Sequence, residues 1–485
     1  MLKNTIKPHK SKYSYLLALA ISAGALFLLP VSKTYSLSAN AESLEEARQA
    51  RMELETSSNL VPGWPQGPAV GAESAILMDA DSKVILYSKN IDEELYPAST
   101  TKMLTCLIAA EKGNMNDIVN FSHTAVSSVP SDGSNIGIDA GEYMTLEQCL
   151  YGIMVGSANE CANAVAEHIA GSLDAFADMM NERALELGCS HSHFVNSNGL
   201  FDKEHYTSAH DLALIASAFF DNELLSKIGN TARYHFTAGP GQPDDFYVNN
   251  KHKLINGEIA CEGIRGGKTG YTDEARNTLI SCAERGQMKL ICVIMKEETP
   301  YQFTETAELF DYGFNNFKKV YPAEEDEYYL PSTSKNSSSS SFSLNKEFLE
   351  FDKNASVILP VTASLSDCES TADYDTKDEN TAAVISYSFG GVAVGEASIR
   401  IVASDEALYL GNKPLSLVDV IEGKKGTYYL DLKSLIIRIS LTLSVIIVFS
   451  LILSAIYSYK YGYGDKGDRK RMRRRLKTKG SHHYH

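Results

Sequence analysis

The fold is best predicted from residues 96–103, which read Tyr96-Pro97-Ala98-Ser99-Thr100-Thr101-Lys102-Met103. Pro97 stiffens the approach, and Ser99 lies where a helix can begin. Apolar residues recur on one face of the run from Thr100 to Lys112, and this pattern stops at Gly113. The stretch therefore predicts a helix that begins close to Ser99.

Ser99 and Lys102 are three residues apart, so they are expected on the same face of the first helical turn. A serine hydroxyl is a poor nucleophile until a neighbouring base takes its proton. A lysine can be that base if burial lowers its pKa toward neutrality. Alone, the S-x-x-K pattern is weak, because a serine that caps a helix and a lysine in solvent give the same spacing.

A second short motif, Ser157-Ala158-Asn159, falls at a break between two helices. Apolar periodicity predicts helices over Leu146–Val155 and Glu160–Ala170. Ser157 and Asn159 are two residues apart across the break, so both can face one cleft. On its own the motif is equally typical of a serine that caps a helix and an asparagine in a turn.

A third motif, Lys268-Thr269-Gly270, precedes two predicted strands, Thr278–Ala283 and Met288–Met295. Lys268 is therefore expected near the edge of an antiparallel sheet. Gly270 would let the backbone of a substrate come close. The tripeptide is common, so it is a weak signal by itself.

The remaining elements predict a mixed chain with two ordered parts. Ser74–Met78 and Val84–Tyr87 predict a hairpin. Helices are predicted at 44–54, 179–187, 211–220 and 304–314. A β-rich segment follows, with predicted strands at 357–359, 383–387, 392–402 and 407–410.

The composition separates an acidic body from two basic ends. The chain has 485 residues and a formal charge of −16, but residues 1–41 carry five lysines and no acid, and residues 460–485 carry ten basic and two acidic residues. Residues 42–459 therefore hold a formal charge of about −29. Such a body is not expected to bind nucleic acid unaided.

The two ends predict export and a membrane anchor. Residues 1–41 are predicted as a signal peptide, because lysines precede an apolar run (15–29) and Ala39-Asn40-Ala41 fits a cleavage site. An uncleaved anchor is the alternative. Residues 435–457 are apolar enough to predict a transmembrane helix, with residues 460–485 as a basic cytoplasmic tail. Anionic lipid is the nearer partner of this tail, and nucleic acid is the alternative.

The domain boundaries follow from these patterns. We predict an N-terminal linker at 42–62, a catalytic domain at 63–317 and a β-rich domain at 318–425, which contains a serine-rich loop at 332–343. The eight cysteines form no C-x-x-C pair and no zinc-like spacing, so neither a metal nor a cofactor is predicted. Most of them lie in apolar patterns, which favours buried reduced thiols over disulfides.

The three motifs occur together in the order Ser99-x-x-Lys102, Ser157-x-Asn159 and Lys268-Thr269-Gly270. With Asp in place of Ala158, this set is typical of penicillin-binding proteins and class A β-lactamases. Flanking segments sharpen the match, and residues 70–316 resemble the D-alanyl-D-alanine carboxypeptidases, the low-molecular-mass penicillin-binding proteins. These segments are Pro97-Ala98-Ser99, Asn196-x-x-Gly199-Leu200 and Ala209-x-Asp211-Leu212.

The resemblance implies an α/β (α+β) fold of the β-lactamase/transpeptidase type, with an antiparallel sheet, helices on both faces and a helical cluster. It implies that Ser99 attacks the bond between the two terminal D-alanines of a peptidoglycan stem peptide, and that Lys102 takes its proton. Ser157 and Asn159 would relay a proton to the leaving amine and hold the substrate. β-Lactam antibiotics would acylate the same serine.

The resemblance also implies how the substrate is held. Lys268 would supply positive charge, Thr269 would bind the terminal carboxylate, and Gly270 would let the peptide approach. The backbone N–H groups of Ser99 and Tyr271 would form the oxyanion hole. Many relatives carry an arginine shortly before the last helix, but Pro300-Tyr301-Gln302-Phe303 has none, which puts a second carboxylate contact in doubt.

Several other functions share part of this pattern. A class A β-lactamase is disfavoured because no Glu-x-x-x-Asn lies between Asn159 and Lys268. A D,D-transpeptidase or endopeptidase differs only in the acyl acceptor or in the scissile bond, so it stays open. A non-catalytic β-lactam receptor would acylate without turnover, and three intact motifs argue against it.

Overall fold

The computed structural model describes residues 44–325, 349–376, 378 and 380–401. The predicted signal peptide, serine-rich loop, strand at 407–410, transmembrane helix and basic tail lie outside these residues and stay predictions. Among the described residues, no helix is long and apolar enough to cross a membrane.

Seven of the ten described helices were predicted from apolar periodicity, and their ends lie within six residues of the expected positions, whereas three short helices at 123–127, 223–229 and 322–325 were not predicted. The ten helices are α1 (Leu44–Met52), α2 (Lys102–Lys112), α3 (His123–Ser127), α4 (Leu146–Gly156), α5 (Asn159–Ala170), α6 (Leu173–Glu186), α7 (Ala209–Asp221), α8 (Glu223–Gly229), α9 (Tyr301–Asn316) and α10 (Pro322–Glu325). Short 3-10 turns cover Ser57–Leu60, Ala98–Thr101 and Leu365–Asp367.

The strands of the first part are β1 (Ser74–Asp79), β2 (Ile85–Lys89), β3 (Ile118–Asn120), β4 (Tyr143–Thr145), β5 (Arg233–Phe236), β6 (Phe246–Asn249), β7 (Ile264–Thr272), β8 (Arg276–Arg285) and β9 (Met288–Glu297). The β-rich segment adds β10 (Phe317–Val320), β11 (Leu349–Phe351), β12 (Val357–Pro360), β13 (Glu369–Asp373), β14 (Thr381–Phe389) and β15 (Val392–Ile401).

The main sheet has the order β2-β1-β9-β8-β7, and every pairing in it is antiparallel. Successive residues of β1 alternate between two cores, so Ile76 packs with α2 to α8 whereas Leu77 packs with α9. Helices therefore cover both faces, as predicted. The strand β7 forms one edge, which leaves Lys268, Thr269 and Gly270 on an edge strand.

The β-rich segment forms a second antiparallel sheet of order β10-β12-β15-β14-β13, with β11 on β15. It is tied to the first part because β10 continues directly from α9. Trp64 packs on Phe317 and Phe389, with ring centroids 5.1 and 6.4 Å away. Trp64 is the single tryptophan of the chain and is buried.

Residues 44–62 differ from the predicted linker, because α1 is docked by buried ion pairs. Arg48 donates to Glu297 (3.2 Å) and to Glu305 (2.5 Å), and Arg51 lies 3.6 Å from Glu298 and 3.9 Å from Glu297. We call these five residues the arginine clamp. The sequence of α1 is polar and suggests an exposed helix, whereas its two arginines face three glutamates that lie about 250 residues away.

All eight cysteines are free thiols, and six of them are buried. Burial raises the pKa of Cys106, Cys161 and Cys292, which keeps these thiols protonated. They pack as small apolar side chains, in line with the sequence pattern.

Candidate active site

Ser99 lies in the 3-10 turn that leads into α2, as the sequence predicts. Ala98 takes a left-handed backbone conformation (φ +49°), which is uncommon for a residue with a Cβ. The turn is held by Thr101, whose Oγ1 donates to the Ala98 carbonyl at 2.9 Å. Gly199 also packs on that carbonyl, because a Cβ there would lie 1.9 Å from the oxygen. This packing keeps Ser99 partly exposed at the start of the helix.

Lys102 is fully buried one turn below Ser99. Its Nζ lies 2.9 Å from Ser99 Oγ and 2.6 Å from Asn159 Oδ1, and it also donates to the Asn198 carbonyl. Every one of these partners is uncharged. The amine is thus aimed at the hydroxyl from which a base would take a proton.

The environment of Lys102 favours its neutral form. Burial lowers the pKa of the amine well below its ordinary value, and the charge of Lys268 lowers it further. Glu160 acts in the opposite direction, because its negative charge raises the pKa of Lys102. The Glu160 carboxylate accepts from the Ile136 N–H at 2.6 Å. Desolvation is the largest of these effects, so Lys102 can serve as a base near neutral pH.

Ser157 and Asn159 reach the same cleft from the break between α4 and α5. Ser157 ends α4 in a left-handed conformation (φ +59°), and its side chain caps neither helix. Its Oγ instead accepts from Lys268 Nζ at 3.1 Å. Asn159 starts α5 and is fixed by its N–H bond to the Ser134 carbonyl at 2.9 Å. The functional interpretation of this motif thus fits the geometry better than the capping one.

Lys268 is 2% exposed, and its second contact is the Thr269 carbonyl at 2.7 Å. Burial lowers the pKa of Lys268 to about 7, and the nearby charge of Lys251 contributes to the shift. Lys268 can therefore gain and lose its proton near neutral pH. Lys268 is better suited to gaining and losing a proton than the sequence suggests.

The edge strand β7 runs against the start of α2. A Cβ on Gly270 would lie 3.1 Å from the Ser99 nitrogen and 2.9 Å from the Pro97 carbonyl, so only glycine allows this approach. The Tyr271 side chain is 53% exposed and donates to Asp273 at 3.0 Å. The side chain of Tyr271 thus points away from the serine, which leaves its backbone as the part that can face the cleft.

A cleft of about 600 Å³ joins these groups, and six of the eight predicted residues, all but the buried Lys102 and Lys268, line its wall. The lining holds no arginine, as the sequence predicts. It contains Lys251 and Lys253, and also Thr278, whose buried Oγ1 has no hydrogen-bond partner among the described residues. Gln302 lies in the first turn of α9 and also lines the cleft.

The sequence did not single out several residues that hold the site. Asn163 accepts from Ser197 Oγ (3.1 Å) and from Asn198 Nδ2 (2.9 Å), which fixes the loop whose carbonyl faces Lys102. His205 bonds Thr101 Oγ1 at 2.8 Å. Lys251 and Lys253 flank the buried His252. In this last case the sequence signal is a histidine between two lysines in a loop.

Residues 63–299 match the peptidase S11 family, described as D-alanyl-D-alanine carboxypeptidase. The chain is 31% identical over 256 residues to the D-alanyl-D-alanine carboxypeptidase DacB2 of Mycobacterium tuberculosis, and the match covers 52% of this chain and 84% of that protein. The chain belongs to the D-alanyl-D-alanine carboxypeptidase family. The resemblance stated from the three motifs is thereby confirmed.

Other members of the family match a smaller share of their own length. The carboxypeptidase DacF of Bacillus subtilis is 36% identical over 253 residues, which cover 51% of this chain and 63% of DacF. Penicillin-binding protein 5 of Haemophilus influenzae has a similar fold, with a TM-score of 0.55 at 24% identity over 70% of this chain and 98% of that one. The predicted α/β fold with antiparallel sheets is thereby confirmed.

Proposed function

We propose that this chain is a serine D-Ala-D-Ala carboxypeptidase that removes the terminal D-alanine from peptidoglycan stem peptides. The observation that carries the proposal is the 2.9 Å contact between Ser99 Oγ and the amine of Lys102, which is buried among uncharged partners. Family membership supports the same reaction. We propose no metal or cofactor for it.

In acylation, Lys102 accepts the Ser99 proton while Ser99 Oγ attacks the carbonyl between the two D-alanines. Negative charge then develops on the carbonyl oxygen, and we assign its stabilisation to the backbone N–H groups of Ser99 and Tyr271. One such donor contributes about 3–4 kcal/mol to lowering a barrier of this kind. The close approach of Gly270 to the Ser99 nitrogen supports this pairing.

The tetrahedral intermediate collapses when the leaving nitrogen gains a proton. Ser157 is suited to deliver it, because its hydroxyl accepts from Lys268, whose pKa of about 7 allows it to give up a proton at neutral pH. D-Alanine departs as the free amino acid. Exchange with solvent then removes the proton from Lys102 and returns one to Lys268. Lys102 can therefore act as the base when water attacks the ester on Ser99, and the shortened peptide leaves.

The terminal carboxylate requires partners other than an arginine. We assign it to Lys268 and Thr269, and also to Thr278, whose buried hydroxyl has no partner among the described residues and lines the cleft. Such a hydroxyl gains a hydrogen bond when an anion binds, which offsets the cost of its burial. This set would replace the missing second contact near Gln302.

The test uses the full-length chain with a peptide ending in D-Ala-D-Ala. We expect release of D-alanine, no cross-linked dimer, and a penicillin adduct on the Ser99 peptide that is lost in Ser99→Ala. Dimer formation would instead identify a transpeptidase. Rapid penicillin turnover would identify a β-lactamase, and acylation without peptide turnover a receptor. An adduct on any other residue would refute the assignment of Ser99.

We further propose that the catalytic part lies outside the cytoplasmic membrane and that residues 460–485 lie inside it. The basic and apolar segments at both ends support this topology. Protease added to intact protoplasts is then expected to remove the catalytic part and spare the tail. Protection of the catalytic part would reverse the topology.

A further inference from the structure

The last residues of the edge strand β7 include Tyr271, whose backbone N–H is assigned to the oxyanion hole. In the main sheet β7 pairs with β8 alone, so its end can move unless other contacts hold it. A hydrogen-bond donor lowers the barrier only if it is fixed where the negative charge develops. The position of the Tyr271 N–H therefore depends on what holds the turn between β7 and β8.

This turn is closed by Arg276 in a left-handed conformation. Strand β7 ends at Thr272, and β8 begins at Arg276, which is paired with Thr272 in the ladder. The φ angle of Arg276 is +51°. Glycine or asparagine is the usual residue in this conformation, because a longer side chain makes it unfavourable. An arginine here indicates that its side chain makes contacts that offset the cost.

The Arg276 guanidinium contacts a carboxylate and Tyr271 at the same time. Its Nε and Nη2 donate to the two oxygens of Glu298 at 3.2 and 2.7 Å, which makes a bidentate pair. Its Nη1 donates to the Tyr271 hydroxyl at 3.3 Å, and its Cζ lies 5.7 Å from the centroid of that ring. Arg276 thus links the end of the edge strand to a residue that follows the central strand β9.

Glu298 is a firm anchor for this link. It follows β9, which lies between β1 and β8 in the main sheet. Its N–H donates to Glu297 Oε1 at 2.6 Å, and its carbonyl accepts from the Tyr301 N–H at 2.8 Å, where α9 begins. The Glu298 side chain is 12% exposed, so its pair with Arg276 is screened less than a surface pair. In the arginine clamp, Arg48 pairs with Glu297 and Glu305, so the link from Glu298 to Arg276 does not depend on it directly.

The residue after Arg276 connects the turn to the cleft. Asn277 is paired with Tyr271 in the ladder, and both residues line the cleft. The Asn277 Nδ2 donates to the Glu297 carbonyl at 3.0 Å, and the register between β8 and β9 shifts directly after Asn277. A displacement of Arg276 would therefore pass to the strand pair that carries the Tyr271 N–H.

We propose that Arg276 is a positioning residue that holds the Tyr271 N–H in the oxyanion hole. The inference rests on the proposed function. The pair with Glu298 keeps the left-handed turn closed, and the contact with the Tyr271 side chain fixes the end of β7. Arg276 is not part of the cleft lining, so it acts through Tyr271 and not on the substrate. Acylation and deacylation both pass through an oxyanion at the same carbonyl, so both steps depend on this arrangement.

Arg276→Asn is the main test, because asparagine tolerates the left-handed backbone but is too short to bridge Glu298 and Tyr271. In the full-length enzyme, kcat/KM on a peptide ending in D-Ala-D-Ala is expected to fall by about 10- to 30-fold. The rate of acylation by penicillin should fall by a similar factor. The urea midpoint should change little, because relief of the backbone offsets the lost ion pair.

A transition-state analogue separates positioning from a structural role. A peptide boronic acid in which boron replaces the attacked carbonyl carbon forms a tetrahedral anion on Ser99, with one oxygen in the oxyanion hole. Its affinity for Arg276→Asn should fall by the same factor as kcat/KM. Arg276→Lys keeps the charge without the bidentate geometry, so its losses should lie between those of Arg276→Asn and the wild type.

Arg265→Asn is the matched control. Arg265 lies at the opposite end of the same hairpin, where its Nε donates to Glu284 at 3.0 Å. This variant also loses an arginine–glutamate pair, but kcat/KM and boronate affinity should stay within about twofold of the wild type. A double-mutant cycle with Glu298→Gln tests the anchor. The double variant should be no more impaired than Arg276→Asn alone, because both changes break the same link.

Three results would overturn the proposal. One is Arg276→Asn with kcat/KM and boronate affinity within about twofold of the wild type. A second is a loss that appears in KM alone while boronate affinity is unchanged, which would place the effect in binding of the ground state. A third is an additive loss in the cycle, which would exclude Glu298 as the anchor. If the wild type releases no D-alanine, the proposed function fails, whereas penicillin acylation and boronate affinity still test the role of Arg276.

Discussion

The active-site cleft and the arginine clamp both bury positive charge, but they surround it differently. Lys102 and Lys268 contact hydroxyls, an amide oxygen and backbone carbonyls, and no carboxylate in the described part of the chain. Arg48 and Arg51 instead face three glutamates. A buried cation without a counter-charge tends to lose its proton, whereas a paired one keeps it and acts as a structural link.

Burial also shifts the pKa of a glutamate in the arginine clamp, in the direction opposite to that of the buried lysines. Burial raises the pKa of Glu297 to about 8, and the nearby Glu305 adds to the shift. Glu297 therefore tends to stay protonated at neutral pH. The folded state therefore binds more protons than the unfolded one between about pH 4.5 and 8, so this group makes the protein less stable as the pH rises through that range.

Lys268 has the opposite effect on stability. Its pKa is about 7 in the folded state and 10.5 ordinarily, so the unfolded state binds more protons between these values. Lys268 therefore lowers the free energy of unfolding most below pH 7, and this penalty disappears as the pH rises toward 10.5. The clamp and the cleft thus oppose each other in their dependence on pH.

A lowered lysine pKa is not sufficient to make a catalytic base. Burial also lowers the pKa of Lys89, to about 8. Its amine donates to the carbonyls of Arg51 (2.7 Å) and Val70 (2.6 Å), and no hydroxyl contacts it. Lys102 differs because Ser99 Oγ is one of its partners. The contact with a nucleophile, more than the pKa, distinguishes the cleft.

The largest expected effect is on the rate of acylation, and it distinguishes the active-site cleft from the arginine clamp. Lys102→Met keeps the apolar stem and removes the amine, so the rate of acylation by penicillin is expected to fall by about 10³-fold or more. The cost of burying the amine disappears while Asn159 Oδ1 and the Asn198 carbonyl lose a donor. These effects oppose each other, so the free energy of unfolding should change by less than about 2 kcal/mol. Rapid-quench acylation and urea unfolding, read by Trp64 fluorescence, measure the two quantities.

Lys112→Met is the matched control, because Lys112 is exposed on the same helix. It should leave both the acylation rate and the stability near the wild-type values. If Lys102→Met acylates at a near-wild-type rate, the base lies elsewhere.

For the arginine clamp, we expect a large loss of stability with little change in catalysis. Arg48→Met leaves Glu297 and Glu305 buried without their closest cation, and breaking a buried pair in this way costs about 3–5 kcal/mol. At a temperature where the variant is still folded, kcat/KM on a D-Ala-D-Ala peptide should stay within about twofold of the wild type. Urea unfolding and steady-state kinetics test the two parts.

Gln49→Met serves as the control for the clamp, because Gln49 is the exposed neighbour of Arg48 on α1. An unchanged stability of Arg48→Met would mean that α1 is not docked in solution. A large loss of kcat/KM with unchanged stability would instead connect the clamp to the cleft.

The contrast also explains how far the sequence could predict the structure. Helix α2, the hairpin β1–β2 and the strands β8 and β9 depend on local periodicity, and they lie where the patterns place them. The three catalytic motifs are short and local as well. Their convergence follows from the order of the chain in the main sheet, which the family resemblance supplied.

The arginine clamp could not be predicted from the sequence. The cost of burying its arginines and the energy of its ion pairs both depend on residues far away in the chain. Arg48 on a polar helix suggests exposure, and only the glutamates at 297 and 305 explain why it is buried. The same holds for Ser157, whose left-handed conformation turns its hydroxyl away from the helix ends. Local patterns contain no information on such contacts.

A smaller effect is expected for the charge of Lys268. Lys268→Gln should lose about 30- to 100-fold in kcat/KM on a peptide with a free terminal carboxylate, equivalent to about 2–3 kcal/mol. The loss on the C-terminal amide should be smaller, because that substrate loses only the proton relay through Ser157, whereas the acid also loses an ion pair in a partly desolvated cleft. Parallel assays of the acid and the amide measure the difference.

Thr269→Val is the comparison for Lys268→Gln, because it removes one hydrogen bond to the substrate and no charge. Its loss on the acid should be about five- to tenfold, corresponding to about 1 kcal/mol. If Lys268→Gln impairs the acid and the amide equally, Lys268 does not bind the carboxylate. Its contact with Ser157 would then define its role, as part of the proton relay.

The smallest effect concerns Lys251, which lines the active-site cleft. For the acid substrate, kcat/KM should rise with pH as Lys102 loses its proton and fall as Lys268 loses its own, near pH 7 in the free enzyme. Lys251 lowers the pKa of Lys268 by repelling its charged form. Lys251→Gln removes this repulsion, so the falling limb should move to higher pH. Because Lys251 is exposed and screened by salt, the shift should be less than about one pH unit.

In the wild type, higher salt should move the falling limb in the same direction, and Lys251→Gln should respond less. Lys253→Gln is the matched control, since the ammonium of Lys253 is paired with Glu258 at 3.4 Å and is not among the charges that shift Lys268. A limb that stays in place in Lys251→Gln, or that persists in Lys268→Gln, would show that a group other than Lys268 causes the fall. In that case the two buried lysines would no longer differ in the charge state that each contributes to the reaction.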